Sequence, residues 1–469
     1  MKQITRFLLA SAVLVALSGM SPPQGPARPI GPEYTVVFEV PLGEDGVQYS
    51  PLREEQQQWG PMAMAIAPDG SFWVANTYSN NLLHYDARGT RLGTVDLNGQ
   101  AVGITRLQVT ADGVFALDGA AMTPELLHLT PDGRLVQRLP APAEQESLLA
   151  NLVSSRASLT LGKTSVQIAV DDHLVGLEVL GRNGRDTYVM VDELKQDRTG
   201  TIHIDRVVRQ YTPAGRLAGM ARFPIGEQAV PVEQALAVGP DGQVYGLLAQ
   251  AGRVLVARLS FMPRLAPILP EDSFEPVSAP QPTACTVYRS TIASRANAYI
   301  NNSKYLSGTN TDGACAGRGK PRYLGGAGTY YSVSYDWNGF DSVSGFNGYM
   351  SPGTSQAGDI NTAASEGCSK GVDCSGFVSR TWGLSEKYGT GTLPGLSTAI
   401  TWASLKQGDI LNKAGVHVVL INTYTSTSSA NVWEATTTAS YDRVVKRTIN
   451  PGTYLSGYTA YRYNNLCNP

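Results

Sequence analysis

Ile66-Ala67-Pro68-Asp69-Gly70 leads into Phe72-Trp73-Val74 and then into Leu82-Leu83-His84-Tyr85-Asp86-Ala87-Arg88-Gly89. The pattern returns as Leu107-Gln108-Val109-Thr110-Ala111-Asp112-Gly113, Val114-Phe115-Ala116 and Leu126-Leu127-His128-Leu129-Thr130-Pro131-Asp132-Gly133. Asp-Gly and Pro-x-Gly between alternating apolar runs are hairpin turns. The intervals from Gly70 to Gly113 and from Gly89 to Gly133 are 43 and 44 residues, within the range of four-stranded propeller blades. Fainter echoes follow at Val207 to Gly215 and at Leu236 to Gly242. Residues 34–262 therefore read as a β-propeller of about five or six blades, with Val36 to Val40 placed to close the ring. His84, His128, His173 and His203 fall on its strands and read as strand surface or core, with no catalytic cluster among them.

Outward from the repeats, the chain divides further. Lys2 and Arg6, the apolar run Phe7 to Leu17, and Ala16-Leu17-Ser18-Gly19 make an export signal over residues 1–20. That run is too short to cross a bilayer, which needs about 20 apolar residues. Residues 21–33 read as a disordered, Pro-rich lead-in. The expected location is secreted, or periplasmic and cell-envelope, with no membrane span. Pro263, Pro267, Pro270, Pro276, Pro280 and Pro282 make residues 263–284 an extended linker. Residues 285–469 form the remaining domain. The net charge of −2 and a charged fraction of 16% indicate no nucleic-acid partner. From Cys285 onward 15 Lys/Arg stand against 10 Asp/Glu, so this part is mildly basic.

In that last part, Asp373-Cys374-Ser375-Gly376-Phe377-Val378 opens a short apolar run with Trp382 and Leu384 at helical spacing. Cys374 then sits at a helix start, where free N–H groups and the dipole favour a thiolate. His417 is the one histidine after the linker, in the β-branched strand Val416 to Ile421. A thiol, a histidine and a third orienting polar group make the set for acyl transfer. A hairpin centred at Thr425-Ser426 would place Glu434, on the strand Asn431 to Thr436, directly across from His417. A one-residue slip would turn Glu434 to the other face.

All five cysteines follow the linker: Cys285, Cys315, Cys368, Cys374 and Cys467. An odd count in an exported chain leaves one thiol unpaired. With Cys374 as that thiol, Cys285–Cys467 and Cys315–Cys368 are the favoured bridges, the first tying the ends of the domain; other pairings stay open. There is no Cys-x-x-Cys pair and only one histidine in this part, which disfavours zinc. No metal or cofactor is expected. Tyr288 to Leu306 reads as a helix, and the Gly/Ser/Asn/Tyr-rich stretch to Lys370 has no legible period.

Asp373-Cys374-Ser375-Gly376-Phe377, then Gly408-Asp409, then His417-Val418, resemble the NlpC family of cell-wall cysteine peptidases. Tyr335-Asp336-Trp337-Asn338-Gly339 matches that family's Tyr-x-Trp-x-Gly stretch upstream of the cysteine. Val419 stands where the family usually has glycine, and the spacer from Tyr335 to Cys374 is long. The resemblance covers roughly residues 285–469 and implies a papain-like α+β domain, so the whole chain is mainly β plus α+β. It implies Cys374 as nucleophile, His417 as base, Glu434 as orienter and Tyr335 at the oxyanion. It implies peptidoglycan or its stem peptides as substrate. The propeller is similar in pattern to NHL-type repeats and would bind or position, with a protein or glycan as its ligand. An amidase or acyl transferase using the same Cys/His set, and a non-catalytic wall-binding protein, are the competing classes.

Overall fold

Each Asp-Gly or Pro-x-Gly turn needs a residue with positive φ, and glycine supplies it: Gly70 stands at φ 85° and Gly133 at φ 89°. Between these turns the strands pair in sequence into antiparallel sheets. In the computed structural model, which describes residues 33–141, 155–266, 268, 285–312, 315, 319–361, 367–425 and 429–467, five such sheets follow one another between residues 34 and 259. The first contains Ala63–Ile66, Phe72–Asn76, Asn81–Tyr85 and Arg91–Asp96, and the second Ile104–Thr110, Gly113–Asp118, Glu125–Leu129 and Leu135–Pro140. Arg156–Leu161 and Thr164–Ala169 form a two-stranded unit. His173–Arg182, Thr187–Gln196, Ile202–Tyr211 and Leu217–Phe223 form the next sheet. The last contains Leu236–Val238, Val244–Gln250 and Arg253–Leu259, and the N-terminal strand Tyr34–Val40 completes it by pairing with Arg253–Leu259.

This closure by the first strand makes the ring a β-propeller. At its centre the Gln234 side chain accepts the Leu107 N–H at 2.9 Å and donates to the Leu107 carbonyl at 2.9 Å, while its backbone exchanges hydrogen bonds with Met62 and Met64. Three sheets are thereby pinned at one residue. The strand histidines are structural. His84 stacks on Trp73 at 4.1 Å and meets Ser71 Oγ at 2.9 Å, and His128 stacks on Phe115 at 4.4 Å and meets the Asp112 carbonyl at 3.0 Å. The same ring-on-ring prop recurs because the repeat recurs.

The C-terminal part is built on a six-stranded antiparallel sheet in the order Ser397–Ala399, Thr459–Tyr463, Ile410–Lys413, His417–Thr425, Ser429–Thr436 and Arg443–Ile449. The Arg289–Ile300 and Cys374–Trp382 helices pack together on one face, with Phe377, Val378 and Trp382 joining Val418, Leu420, Trp433 and Ala435 in one core. The other face, through Val419, Ile421, Val432 and Ala460, is continuous with the propeller core of Val208, Phe223, Leu247 and Val256. The sheet is thus held between helices and propeller. A backbone exchange between Ile202 and the Gly457–Tyr458 turn extends the contact.

The helix expected from Tyr288 to Leu306 ends at Ile300, and Ser303–Leu306 is instead a strand paired with Gly328–Tyr331. Asn301 and Asn302 interrupt the apolar spacing there. The stretch without legible period holds the short Gly308–Asp312 and Val343–Met350 helices. Cys285–Cys467 and Cys315–Cys368 are bridged and Cys374 is free, as the favoured pairing has it. Two bridges suit an oxidising compartment. No helix among the described residues is long and apolar enough to cross a membrane. The export signal, the lead-in to Pro32 and most of the linker lie outside the described residues.

Candidate active site

The Cys374–Trp382 helix begins where Asp373 can cap it. Asp373 Oδ1 accepts the Gly376 N–H at 2.7 Å, and Oδ2 accepts the Asn338 N–H at 2.9 Å and pairs with Lys387 Nζ at 2.7 Å. Gly376 is small of necessity, since a Cβ there would lie 2.0 Å from the Gly339 carbonyl oxygen. Gly339 of the Tyr-x-Trp-x-Gly stretch and the Asp-Cys-Ser-Gly stretch are therefore two halves of one close contact. Gly383, at φ 84°, ends the helix. Asp409 is buried between Arg289 at 3.0 Å and Arg462 at 2.8 Å, and the Gly408 carbonyl accepts the Trp382 indole N–H at 3.1 Å. The Gly408-Asp409 pair is thus a brace between helix and sheet.

His417 opens its strand, and its Nε2 lies 2.8 Å from Glu434 Oε2, both side chains buried. The register differs from the expected one. Leu420 pairs with Trp433 and Ile421 with Val432, with a bulge before Thr423 paired to Asn431. The slip is by two positions, so Glu434 keeps its face and reaches His417 diagonally. The His417 strand packs against the Cys374 helix, and the backbone N–H of Val418, next to His417, is one of the groups that favour the Cys374 thiolate. With Nε2 occupied by Glu434, Nδ1 is the imidazole nitrogen left to serve a thiol.

Glu434 is in turn bound by Arg447, which also reaches Glu233 of the propeller at 3.6 Å. Burial alone would raise the Glu434 carboxyl, but Arg447 and then His417 outweigh it and hold it down at about 2. Its ordinary value is 4.5, so the stabilisation is complete above pH 4.5 and is lost as pH falls toward 2. Across that window the unfolding free energy of the native chain should fall by a few kcal/mol more than that of Glu434→Gln. Parallel curves in acid-series thermal unfolding would contradict this.

One segment of the site comes from far away. The loop between Tyr34–Val40 and Ala63–Ile66 lays Arg53 to Gln57 across the Cys374 helix start. The Cys374 thiol donates to the Glu55 carbonyl at 3.4 Å, and the Tyr335 hydroxyl donates to the same oxygen at 3.1 Å. The Trp337 indole N–H donates to the Glu54 carbonyl at 3.0 Å. The Glu55 carboxylate accepts both the N–H and the hydroxyl of Thr390 at 2.7 Å. Cys374 is 0% exposed as a result. Burial first, then the Glu55 and Asp373 charges, push its thiol well above the usual range, against the Val418 N–H and Lys387. The expected thiolate-favouring helix start is outweighed here. Tyr335 is likewise raised by burial and stays a hydroxyl donor.

The structure thus joins Cys374 to Tyr335 through the Glu55 carbonyl and His417 to Glu434, with the His417 strand packed on the Cys374 helix. Sequence reasoning missed Lys387, Thr390, Arg447 and Glu55. The signal that could have found the last is length: more than 20 residues separate Val40 from Ala63, holding the polar run Arg53 to Gln58, where blades are joined by short connections.

No protein-family model matches the chain, and no curated protein matches it. Among solved structures, a streptogramin B lyase aligns at 11% identity and TM-score 0.24, over 46% of this chain and 97% of that one. The PQQ-bound aldose sugar dehydrogenase of Streptomyces coelicolor aligns at 12% and 0.24, over 46% and 98%. A calcium-binding regucalcin of Agrobacterium tumefaciens aligns at 14% and 0.23, over 45% and 96%. Likenesses this loose add nothing to the strand pairing, which itself defines the propeller.

Proposed function

We propose that the chain is an exported cysteine endopeptidase of the NlpC type, with residues 285–469 as a papain-like domain, that hydrolyses amide bonds in peptidoglycan stem peptides. The propeller positions the site and binds wall components. The observation that carries the reading is the free Cys374 at a capped helix start, on the helix that packs against the two strands bearing the buried His417–Glu434 pair, 2.8 Å apart. His417 takes the thiol proton, the thiolate adds to the carbonyl carbon, and the tetrahedral oxyanion is met by the Tyr335 hydroxyl. Collapse expels the amine, protonated by the imidazolium, and leaves a thioester on Cys374. Water, deprotonated by His417, then releases the acid. Glu434 keeps the ring oriented and stabilises the imidazolium. No metal or cofactor enters these steps.

A non-catalytic wall-binding protein is the second reading, favoured by the burial of Cys374 beneath the propeller loop. Purified peptidoglycan digested by the native chain, by Glu55→Ala and by Cys374→Ala, then resolved by mass spectrometry, separates the classes. Fragments cut within the stem after D-glutamate support the endopeptidase. Release of intact stems from sugar makes the enzyme an amidase, and an unchanged fragment pattern with all three chains supports wall binding alone.

A further inference from the structure

An active site that excludes its own nucleophile from solvent has been filled by something, and here the filler belongs to the same chain. Glu55 puts a peptide carbonyl oxygen between the Cys374 sulfur and the Tyr335 hydroxyl, where a substrate carbonyl would have to sit. Its carboxylate is held at 2.7 Å by the N–H and hydroxyl of Thr390, in a pocket lined so closely that a Cβ on Gly389 would lie 3.0 Å from Glu55 Oε1. Its own N–H donates to the Gly415 carbonyl at 3.2 Å. The neighbours fasten on either side: Arg53 to Asn361 Oδ1 at 2.7 Å, Gln56 to the Ile360 carbonyl at 3.4 Å, and Gln57 to the Tyr458 hydroxyl at 2.8 Å.

Two further features set this loop apart from incidental packing. Glu55 stands at φ 58°, the left-handed region that disfavours an L-residue. Such strain persists only where surrounding contacts over-determine it. Both side chains of the Tyr335-x-Trp337 stretch also spend their donors on consecutive loop carbonyls, those of Glu55 and Glu54. The loop enters the site as a tight turn, with Glu54 and Glu55 between the bridged Arg53 and Gln56, and is held by hydrogen bonds to its main-chain carbonyls and by one side-chain pocket.

We infer that Arg53 to Gln57 form an intramolecular plug that occupies the substrate's place and must swing out before the site can work. The consequence for catalysis rests on the peptidase reading; the occupancy itself does not. Because the propeller core is continuous with the sheet, the plug can leave without the two parts separating: it lies in an irregular loop between two strands, each anchored in its own sheet. The Thr390 pocket then becomes a subsite for a carboxylate on the incoming chain. In the plugged state the Glu55 charge also opposes ionisation of the thiol, so withdrawal both uncovers Cys374 and frees it to ionise.

The experiment is iodoacetamide labelling of Cys374 in the full, disulfide-intact chain, which needs no substrate. The native chain, Glu55→Gln, Glu55→Ala and a chain with residues 53–56 replaced by Gly-Ser-Gly-Ser are compared at neutral pH, with thermal unfolding as the check on folding. The native chain should label slowly, and each variant about tenfold faster or more, as the accessible fraction rises. Glu55→Gln keeps the shape of the side chain, so it serves if the loop replacement fails to fold. Native labelling as fast as that of the folded variants overturns the plug. Faster labelling of the variants without any peptidoglycan cleavage upholds the plug and removes the peptidase reading. Cleavage by the native chain with unchanged labelling across the series does the reverse.

Discussion

Cys374→Ala is expected to abolish turnover of stem peptides in both the native and the Glu55→Ala chain, leaving no covalent route. The physical ground is that in the proposed mechanism the acyl group is carried by the Cys374 sulfur, and the other groups only assist that step. Removing a nucleophile from a unit of this kind costs on the order of 10⁶ in kcat in serine-based triads. The thiol is small and fully buried against Val418 and the Glu55 loop, so alanine leaves the fold in place. Turnover within tenfold of the parent chain would remove Cys374 from the chemistry. The disulfides give an internal control, because Cys285–Cys467 and Cys315–Cys368 are already paired and cannot substitute for it.

The second large effect concerns the imidazole. His417→Ala should lower kcat by about 10⁴ or more, because once the loop bearing Glu55, whose carboxylate lies 3.7 Å from the sulfur, has swung out, the proposed mechanism leaves the thiol no other base. Glu434→Gln should cost less in rate, about 10–100-fold, since the amide oxygen can still accept the Nε2–H. It should cost more in stability, because Arg447 loses its buried counter-charge while keeping Glu233. The split is informative. A merely structural Glu434 would lower stability with kcat unchanged below the unfolding transition, whereas an orienting one lowers kcat there as well.

What the sequence disclosed and what it withheld follow from the range of the interactions. The Asp69-Gly70 and Asp112-Gly113 turns are local signals, and the sheets they start form where the spacing places them. The parity of His417 and Glu434 was also legible, because alternation survives a two-residue slip. The register was not: pairing of Thr425 with Ser429 shifts the partners by three, and the bulge between Ile421 and Thr423, which leaves no mark in composition, brings the shift back to two. The thiol's environment was misjudged for a different reason. The helix start is a local feature, but the group that buries Cys374 is Glu55, 319 residues earlier in the chain. Asp409 shows the same limit in milder form: its position beside Gly408 was legible, but its partners Arg289 and Arg462 were not.

The propeller emerges as more than a neighbour. It closes the site with Glu55 and braces it with Glu233 through Arg447 to Glu434. Both contacts reach the Cys/His pair, one from the substrate side and one from behind the histidine. The first lies in an irregular loop, and the second joins two half-buried side chains. A loop over the thiol and a glutamate behind the His417–Glu434 pair give the ring two separate contacts with these residues.

The most direct measurement is acid-quenched mass spectrometry of the Glu55→Ala chain mixed with a stem peptide, followed by peptide mapping. The account predicts a transient mass increase equal to the acyl portion of the peptide, mapped to Cys374 and absent from Cys374→Ala, with product appearing only where that adduct forms. Product released at an undiminished rate by Cys374→Ala, or an adduct mapped to any other residue, would contradict it.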